Sequence, residues 1–134
     1  MVETDPVRVA LRYVNEINRH DPSALAALMT PEFRFVDSLG RELRGAERMR
    51  EAWVAYFALF PDYRIIIHQH LSSGELVALF GGASGTLEER GKLPNRNHWT
   101  LPAAWQAVVQ EDRVAEWQVY SDNTPVQRLL DGRG

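Results

Sequence analysis

The sequence predicts an α+β domain in which a long, aromatic-rich helix packs against an antiparallel sheet. Apolar residues recur at helical spacing in much of the first half of the chain, whereas the second half consists of β-branched and alternating segments. The chain has 134 residues, 45% of them hydrophobic, which is enough for one sizeable core. Because the sequence contains neither an internal repeat nor a linker, we expect a single domain over residues 1–134.

The shorter helices are marked by their start signals. Asp5-Pro6 and Asp21-Pro22 each combine a capping carboxylate with a proline at the first helical position, which predicts two consecutive helices. Near the end of the chain Thr124-Pro125 predicts a further, short helix.

The strongest helix pattern follows Gly45 and is ended by Pro61. Its apolar stripe consists of Met49, Trp53, Tyr56, Phe57 and Phe60. An aromatic stripe of this length must be buried against the sheet, so we expect Trp53, in the middle of the stripe, to anchor the packing.

We expect strands over residues 33–38, 63–71, 75–88, 98–110 and 113–121. Glycines at positions 81, 82 and 85 predict a bend or bulge in the third of these strands. Pro102 lacks a backbone N–H and therefore predicts that its part of the fourth strand lies at an edge or a bulge.

Charge and composition argue against several classes of function. The net charge is −3, and the 15 basic residues are spread along the chain and interleaved with acidic ones, so nucleic-acid binding is not expected. No apolar run is long enough to span a membrane, and the N-terminus lacks the pattern of a secretory signal. We therefore expect a cytoplasmic protein with no membrane partner.

The chain resembles the nuclear transport factor two-like superfamily in its SnoaL-like and ketosteroid-isomerase-like branches. The resemblance rests on RYVNEINRHDPSALAALMTPEFRFVD, FPDYRIIIHQHLSSGELVALFGGASGT and DRVAEWQVYSDN, and it covers nearly the whole chain. It implies a cone, in which a strongly curved sheet wraps around the long helix and encloses an apolar pocket. Members of the family include isomerases, polyketide cyclases, dehydratases, epoxide hydrolases and binding modules without chemistry.

The resemblance implies two catalytic residues. In ketosteroid isomerases a tyrosine matching Tyr13 donates a hydrogen bond to the substrate carbonyl, and an aspartate matching Asp37 moves the proton. Strand alternation places Phe33 and Phe35 on the face of Asp37, so we expect burial to raise the pKa of its carboxyl. The alternative is a turn residue whose carboxylate binds nearby backbone N–H groups.

A third candidate, Asp122, stands where polyketide cyclases of this branch place a catalytic aspartate; its alternative role is to satisfy N–H groups where the last helix begins. The isomerases' second oxyanion donor, a protonated aspartate, corresponds to Trp105, and the tyrosine that supports the first donor corresponds to Trp53. True steroid isomerisation is therefore not expected. An epoxide-hydrolase set of Asp, Arg and Asp is also missing at the matching positions.

Aromatic side chains are the candidates for the pocket wall. We expect the wall to contain Phe33, Phe35, Trp53, Phe57, Trp99, Trp105 and Trp117, although such a cluster also fits a plain core or a dimer interface. No cofactor is expected, because the sequence has no nucleotide or flavin signature. His68 and His70 share a strand face but lack a clear third ligand, so no metal site is expected.

The leading hypothesis is a small-molecule pocket protein, an isomerase, cyclase or lyase that moves a proton with Asp37 on an apolar or aromatic carbonyl compound. The alternative is a non-catalytic module that binds a ligand or another protein. We also expect a homodimer, as is common in this family, because residues 98–110 are apolar on both faces. The competing explanation is that the terminal helix covers the outer face.

Overall fold

A computed structural model describes residues 5–133 of the chain. The helices and strands follow one another in the predicted order, with a short strand, β2, before the long helix. They are α1 (Pro6–Asn18), α2 (Pro22–Ala27), β1 (Met29–Val36), β2 (Glu42–Arg44), α3 (Ala46–Leu59), β3 (Arg64–Ser73), β4 (Leu76–Thr86), β5 (His98–Gln110), β6 (Arg113–Tyr120) and α4 (Thr124–Gly132). Both predicted Asp-Pro helix starts are confirmed, because Asp5 accepts the N–H of Val7 and Asp21 accepts the N–H of Ala24.

The six strands form one curved sheet in the order β2-β1-β6-β5-β4-β3, and the predicted α+β class is confirmed. Neighbouring strands are antiparallel with one exception, since β1 runs parallel to β6 and pairs Phe35 with Trp117. Almost the whole domain separates β1 from β6 along the chain, and so long a connection can return in the parallel direction. This pairing joins the β1–β2 hairpin to the other four strands of the sheet.

The bulge expected in β4 lies instead in β3, where His68 is the extra residue opposite Gly81 and Phe80, whereas the edge position expected for Pro102 is confirmed. A Cβ atom at Gly81 would lie 1.8 Å from the carbonyl oxygen of Ile66, so only glycine allows β3 to approach this closely. The register of β3 shifts between Ile67 and Gln69, beside this contact. Pro102 pairs with β4 alone, because the pairing of β5 with β6 begins only at Ala104. Its missing N–H therefore faces no neighbouring strand.

Helices α1 and α3 lie on the concave side of the sheet. Helix α1 packs across β3 to β6 and buries Val9, Tyr13 and Ile17, whereas α3 packs against α2, β1 and β2. The predicted anchor Trp53 is buried, with 6% of its surface exposed. Because α3 sits beside β1 and β2 rather than on the central strands, space is left between it and β5. No helix within residues 5–133 is long and apolar enough to cross a membrane.

Helix α4 packs on the concave side, where Val126 is buried and Leu130 contacts the core. The proposed covering of the outer face by this helix is therefore wrong. The outer face of the sheet leaves apolar side chains exposed, namely Ile66, Leu71, Leu76, Phe80 and Tyr120. This surface is called the outer patch below.

The end of α1 and the turn that follows it bind the start of edge strand β3. The amide nitrogen of Asn18 donates to the carbonyl oxygen of Ile65 over 2.9 Å, and the N–H of Ile65 donates to the amide oxygen of Asn18 over 2.8 Å. His20 donates from Nε2 to the carbonyl oxygen of Tyr63 over 2.7 Å. These bonds satisfy backbone groups that an edge strand otherwise exposes.

Candidate functional site

A cavity of about 300 Å³ lies between α3 and the concave faces of β4, β5 and β6. It exists because small side chains, Ala52, Ala83 and Ala103, stand between large rings. The rings on its wall are those of Phe35, Trp53, Tyr56, Tyr63, Trp99, Trp105 and Trp117. Such a wall suits a flat apolar molecule.

Five of the seven predicted wall residues line this cavity, namely Phe35, Trp53, Trp99, Trp105 and Trp117. The expectation for Phe33 and Phe57 is wrong. Phe33 is fully buried in the core and stacks against Tyr13, with the ring centroids 6.1 Å apart. Phe57 stacks on the imidazole of His20 at 4.1 Å, on the side of α3 that faces α2 and the turn before it. Both residues support the wall from behind.

The rim of the cavity is polar. It is formed by the turn after β1, which contributes Asp37, Ser38 and Arg41, and by the start of α4, which contributes Asn123 and Gln127. Among residues 5–133, Asp37 is the one carboxylate that borders the cavity, and no histidine does. Any acid–base chemistry by a carboxylate in this cavity would therefore depend on Asp37.

The carboxylate of Asp37 is held by its own turn. Oδ1 accepts the N–H groups of Leu39 and Arg41, each over 2.9 Å, and Oδ2 accepts Nε–H of Arg41 over 2.7 Å. Burial pushes the pKa of Asp37 upward, but the bonds from Arg41 and Leu39 together outweigh it and hold the pKa below the usual 3.8. The expected rise is thus wrong, and the turn-residue explanation describes the geometry.

Tyr13 lies behind the wall rather than on it. Its ring is fully buried against Phe33 and Trp117, and its hydroxyl accepts the indole N–H of Trp53 over 3.1 Å. Burial raises the pKa of Tyr13 far more than this hydrogen bond lowers it, so the phenol stays neutral. The pairing that the resemblance implied between Tyr13 and Trp53 is present, but Tyr13 does not line the cavity and contacts it only through the wall residues Trp53 and Trp117.

Asp122 is exposed and does not line the cavity. Its Oδ1 accepts the hydroxyl of Thr124 over 2.6 Å and the backbone N–H of Thr124 over 3.1 Å. These bonds, the hydroxyl first, lower the pKa of Asp122. Asp122 therefore accepts donors at the start of α4, which is the alternative role predicted for it. Its geometry gives no support for a catalytic role.

Two indole N–H groups in the wall have no partner. The Nε1 atoms of Trp99 and Trp105 are buried and make no hydrogen bond within residues 5–133. An unsatisfied buried donor costs about 1–3 kcal/mol, so these two indoles lower the stability of the core. Sequence patterns alone could not find these donors, because the lack of a partner depends on every neighbour in space.

Tyr56 and Tyr63 were missed as wall residues, although Tyr56 belongs to the predicted stripe of α3. Their rings meet edge to face with centroids 4.9 Å apart. Burial raises the pKa of both phenols, and the nearness of Tyr56 adds to the rise at Tyr63. Both hydroxyls therefore remain protonated donors at any physiological pH. The interior of the cavity thus offers donors, and its one carboxylate stands at the rim.

The described residues contain no group of three or more His, Cys, Asp or Glu side chains placed to hold a metal ion.

Comparisons with known proteins agree with the fold. The SnoaL-like domain family matches residues 10–117. No curated protein matches the chain. Among solved structures, a candidate SnoaL-like polyketide cyclase from Jannaschia sp. CCS1 superposes with a TM-score of 0.80 at 20% identity, covering 96% of this chain and 92% of that one.

Two further structures extend the likeness. IdmH, a candidate polyketide cyclase from Streptomyces antibioticus, superposes with a TM-score of 0.76 at 22% identity, covering 95% of this chain and 99% of that one. An LEH-like epoxide hydrolase from M. tuberculosis superposes with a TM-score of 0.77 at 13% identity, covering 95% and 90%. At these identities the superpositions establish the fold, and the family match extends over most of the sequence. The chain therefore belongs to the SnoaL-like domain family.

Proposed function

We propose that the protein binds a small, flat, largely apolar carbonyl compound in its cavity and moves a proton on it, with Asp37 as the base. The observation that carries this proposal is the aromatic cavity with Asp37 at its rim. At about 300 Å³ the cavity is at the lower end of the size range of ligand pockets, roughly 300–1,000 Å³. It therefore fits a compact molecule of a few fused rings.

The lowered pKa of Asp37 limits the chemistry. Its carboxylate is ionised at neutral pH and ready to accept a proton, but it is a weak base because Arg41 and the turn amides stabilise the charge. Such a base works best on an acidified C–H group, for example one next to a carbonyl and to a second activating group. The proton passes from carbon to Asp37, and the electron pair of the broken C–H bond forms an enolate. The enolate then regains a proton or attacks an electrophilic carbon of the same molecule.

The chain supports this reaction in two ways. The phenols of Tyr56 and Tyr63, which line the cavity and stay protonated, stabilise the negative charge that develops on the enolate oxygen. Tyr13 acts on the site indirectly, because its hydroxyl fixes the indole of Trp53 in the wall. Tyr13 is accordingly a positioning residue in this proposal.

The second candidate function is ligand binding without chemistry. It is favoured by the hydrogen bonds of Asp37, since both carboxylate oxygens are already engaged by its own turn. Both candidate functions use the same cavity. They differ in whether the carboxylate of Asp37, which is already bonded to Arg41, can also accept a proton from the ligand.

Binding is tested by native mass spectrometry of freshly purified protein, with identification of any retained compound, and by titration with 2-tetralone. This bicyclic ketone has a C–H group activated by both its carbonyl and its aromatic ring. We expect saturable binding at the cavity. Lack of both a retained compound and 2-tetralone binding would contradict the proposal.

Catalysis is tested by deuterium exchange into 2-tetralone, followed by proton NMR. We expect wild type to accelerate exchange, Asp37→Asn to lose most of that acceleration, and Asp122→Asn to retain it. Asp122 is the matched control because it is a carboxylate near α4 that does not border the cavity. Equal exchange rates in wild type and Asp37→Asn, with binding intact, would support the non-catalytic alternative.

A further inference from the structure

Among residues 5–133, Arg41 is the one positively charged side chain that borders the cavity. It stands at the polar rim, in the turn between β1 and β2, and 71% of its side chain is exposed. Its Nε–H donates to Oδ2 of Asp37 over 2.7 Å. Neither Nη1 nor Nη2 has a partner within the described residues. The N–H groups of both terminal nitrogens are therefore available at the mouth of the cavity.

Arg34 of β1 shows that one guanidinium in this protein holds two carboxylates. Its Nε and Nη2 donate to Glu42 over 2.9 and 3.1 Å, while its Nη1 donates to Glu116. A planar guanidinium has separate edges, so a carboxylate on one edge leaves another edge for a second carboxylate. Arg41 already binds Asp37 through Nε alone and thus has a free edge for a further acidic group.

The rest of the cavity determines where an acidic group of a ligand can lie. Apart from the phenols of Tyr56 and Tyr63, the described residues of the inner wall are apolar or indole side chains. An ionised carboxylate in that interior would lose its hydration without meeting a cation. At the rim the same group keeps part of its hydration and meets Arg41, with the hydroxyl of Ser38 and the amide of Asn123 as further donors.

We infer that the compound bound in this cavity also carries a carboxylate: its rings lie in the apolar interior, and its acidic group binds the free edge of Arg41 at the rim. The inference rests on the proposed binding function and specifies the substrate class of that site. It also gives Arg41 a part in the proposed proton transfer. A ligand carboxylate that shares the guanidinium weakens the hold of Arg41 on Asp37, which makes Asp37 a stronger base.

The test compares 2-naphthoate with 2-acetylnaphthalene, an uncharged ketone that has the same fused rings and a side group of similar size. Both affinities are measured by titration of the methyl signals of Leu101 and Ala103, which line the cavity. We expect wild type to bind 2-naphthoate more tightly than the ketone. Arg41→Gln should reduce this preference by about fivefold, the upper range for an ion pair that solvent still reaches.

Arg44 provides the matched control. It is 67% exposed and also pairs with a carboxylate, that of Glu42, but it does not border the cavity. Arg44→Gln removes the same charge from the same hairpin and should leave the preference unchanged. Arg41→Lys should keep part of the preference, because it retains the charge but loses the fork of N–H groups. A preference that survives Arg41→Gln, or that falls equally in both glutamine variants, overturns the inference.

Asp37→Asn tests whether the ligand and Asp37 share the guanidinium. The substitution removes the competing negative charge, while the amide oxygen of asparagine can still accept the turn N–H groups of Leu39 and Arg41. The preference for 2-naphthoate over the ketone should therefore be stronger in this variant than in wild type. An equal or weaker preference contradicts the shared guanidinium.

The ketone separates failure of this inference from failure of the proposed function. If the ketone changes the methyl signals and 2-naphthoate binds wild type no more tightly, the proposed binding stands and the inference is overturned. If neither compound changes the methyl signals, the binding proposal itself fails, and the inference fails with it.

Discussion

Replacing Trp53 by alanine should remove a large part of the stability of this domain. The indole is 6% exposed, stacks on Phe57 with centroids 5.1 Å apart, and donates its N–H to Tyr13. Truncating a buried tryptophan costs about 3–5 kcal/mol, and here the hydroxyl of Tyr13 also loses its partner. Because small domains have about 5–15 kcal/mol in total, Trp53→Ala should lie close to the limit of folding.

The next residue of the same helix provides the matched control. Val54 is 48% exposed, so Val54→Ala should change the free energy of unfolding by no more than about 0.5 kcal/mol. Urea denaturation followed by circular dichroism measures both variants, with the midpoint and the slope compared separately. A loss under about 1 kcal/mol for Trp53→Ala, or equal losses for the two variants, would refute the placement of this face of α3 against the cavity.

Three further predictions concern Tyr13, Asp37 and the outer patch. Tyr13→Phe should cost about 1–3 kcal/mol in urea denaturation, because the N–H of Trp53 then lacks an acceptor; a neutral substitution would contradict the bond. Since the pKa of Asp37 is lowered on folding, its contribution to stability is present above the unfolded-state pKa and is lost as pH falls through the folded-state value. The stability difference between wild type and Asp37→Asn should therefore shrink below about pH 4, and a constant difference would argue against the ion pair. We also propose that the outer patch forms a homodimer interface: light scattering at micromolar concentration should give twice the chain mass of 15.3 kDa, Phe80→Glu should give monomer, and a wild-type mass near 15.3 kDa would refute the dimer.

Local signals predicted most of the fold. A capping aspartate followed by proline defines the start of a helix whatever lies around it, and both instances, at Asp5 and Asp21, are realised. Gly81 and Pro102 likewise act through their own covalent structure, because glycine lacks a Cβ atom and proline lacks a backbone N–H. The parallel pairing of β1 with β6 depends on contacts between distant segments, and no short pattern specifies it.

The candidate site was predicted less well for a physical reason. Alternation along a strand places Asp37 on the face of Phe35, but the strand ends at Val36 and the chain turns there. Arg41, four residues later, could have indicated a local ion pair, and the turn signal of Gly40 points the same way. The lack of hydrogen-bond partners at the indoles of Trp99 and Trp105 depends on every atom around them in space, and the sequence does not give those positions.

The bonds from Asn18 and His20 to β3 also bear on how this protein avoids aggregation. A ten-residue edge strand is a template on which a second chain can add by backbone pairing. Here the side-chain amide of Asn18 forms hydrogen bonds with both the N–H and the carbonyl oxygen of Ile65, so these groups cannot pair with an incoming strand. Further along, the register shift between Ile67 and Gln69 interrupts the regular spacing that such a strand would have to match. If the Asn18 amide is removed, we therefore expect the protein to self-associate through β3 under conditions in which the domain is still folded.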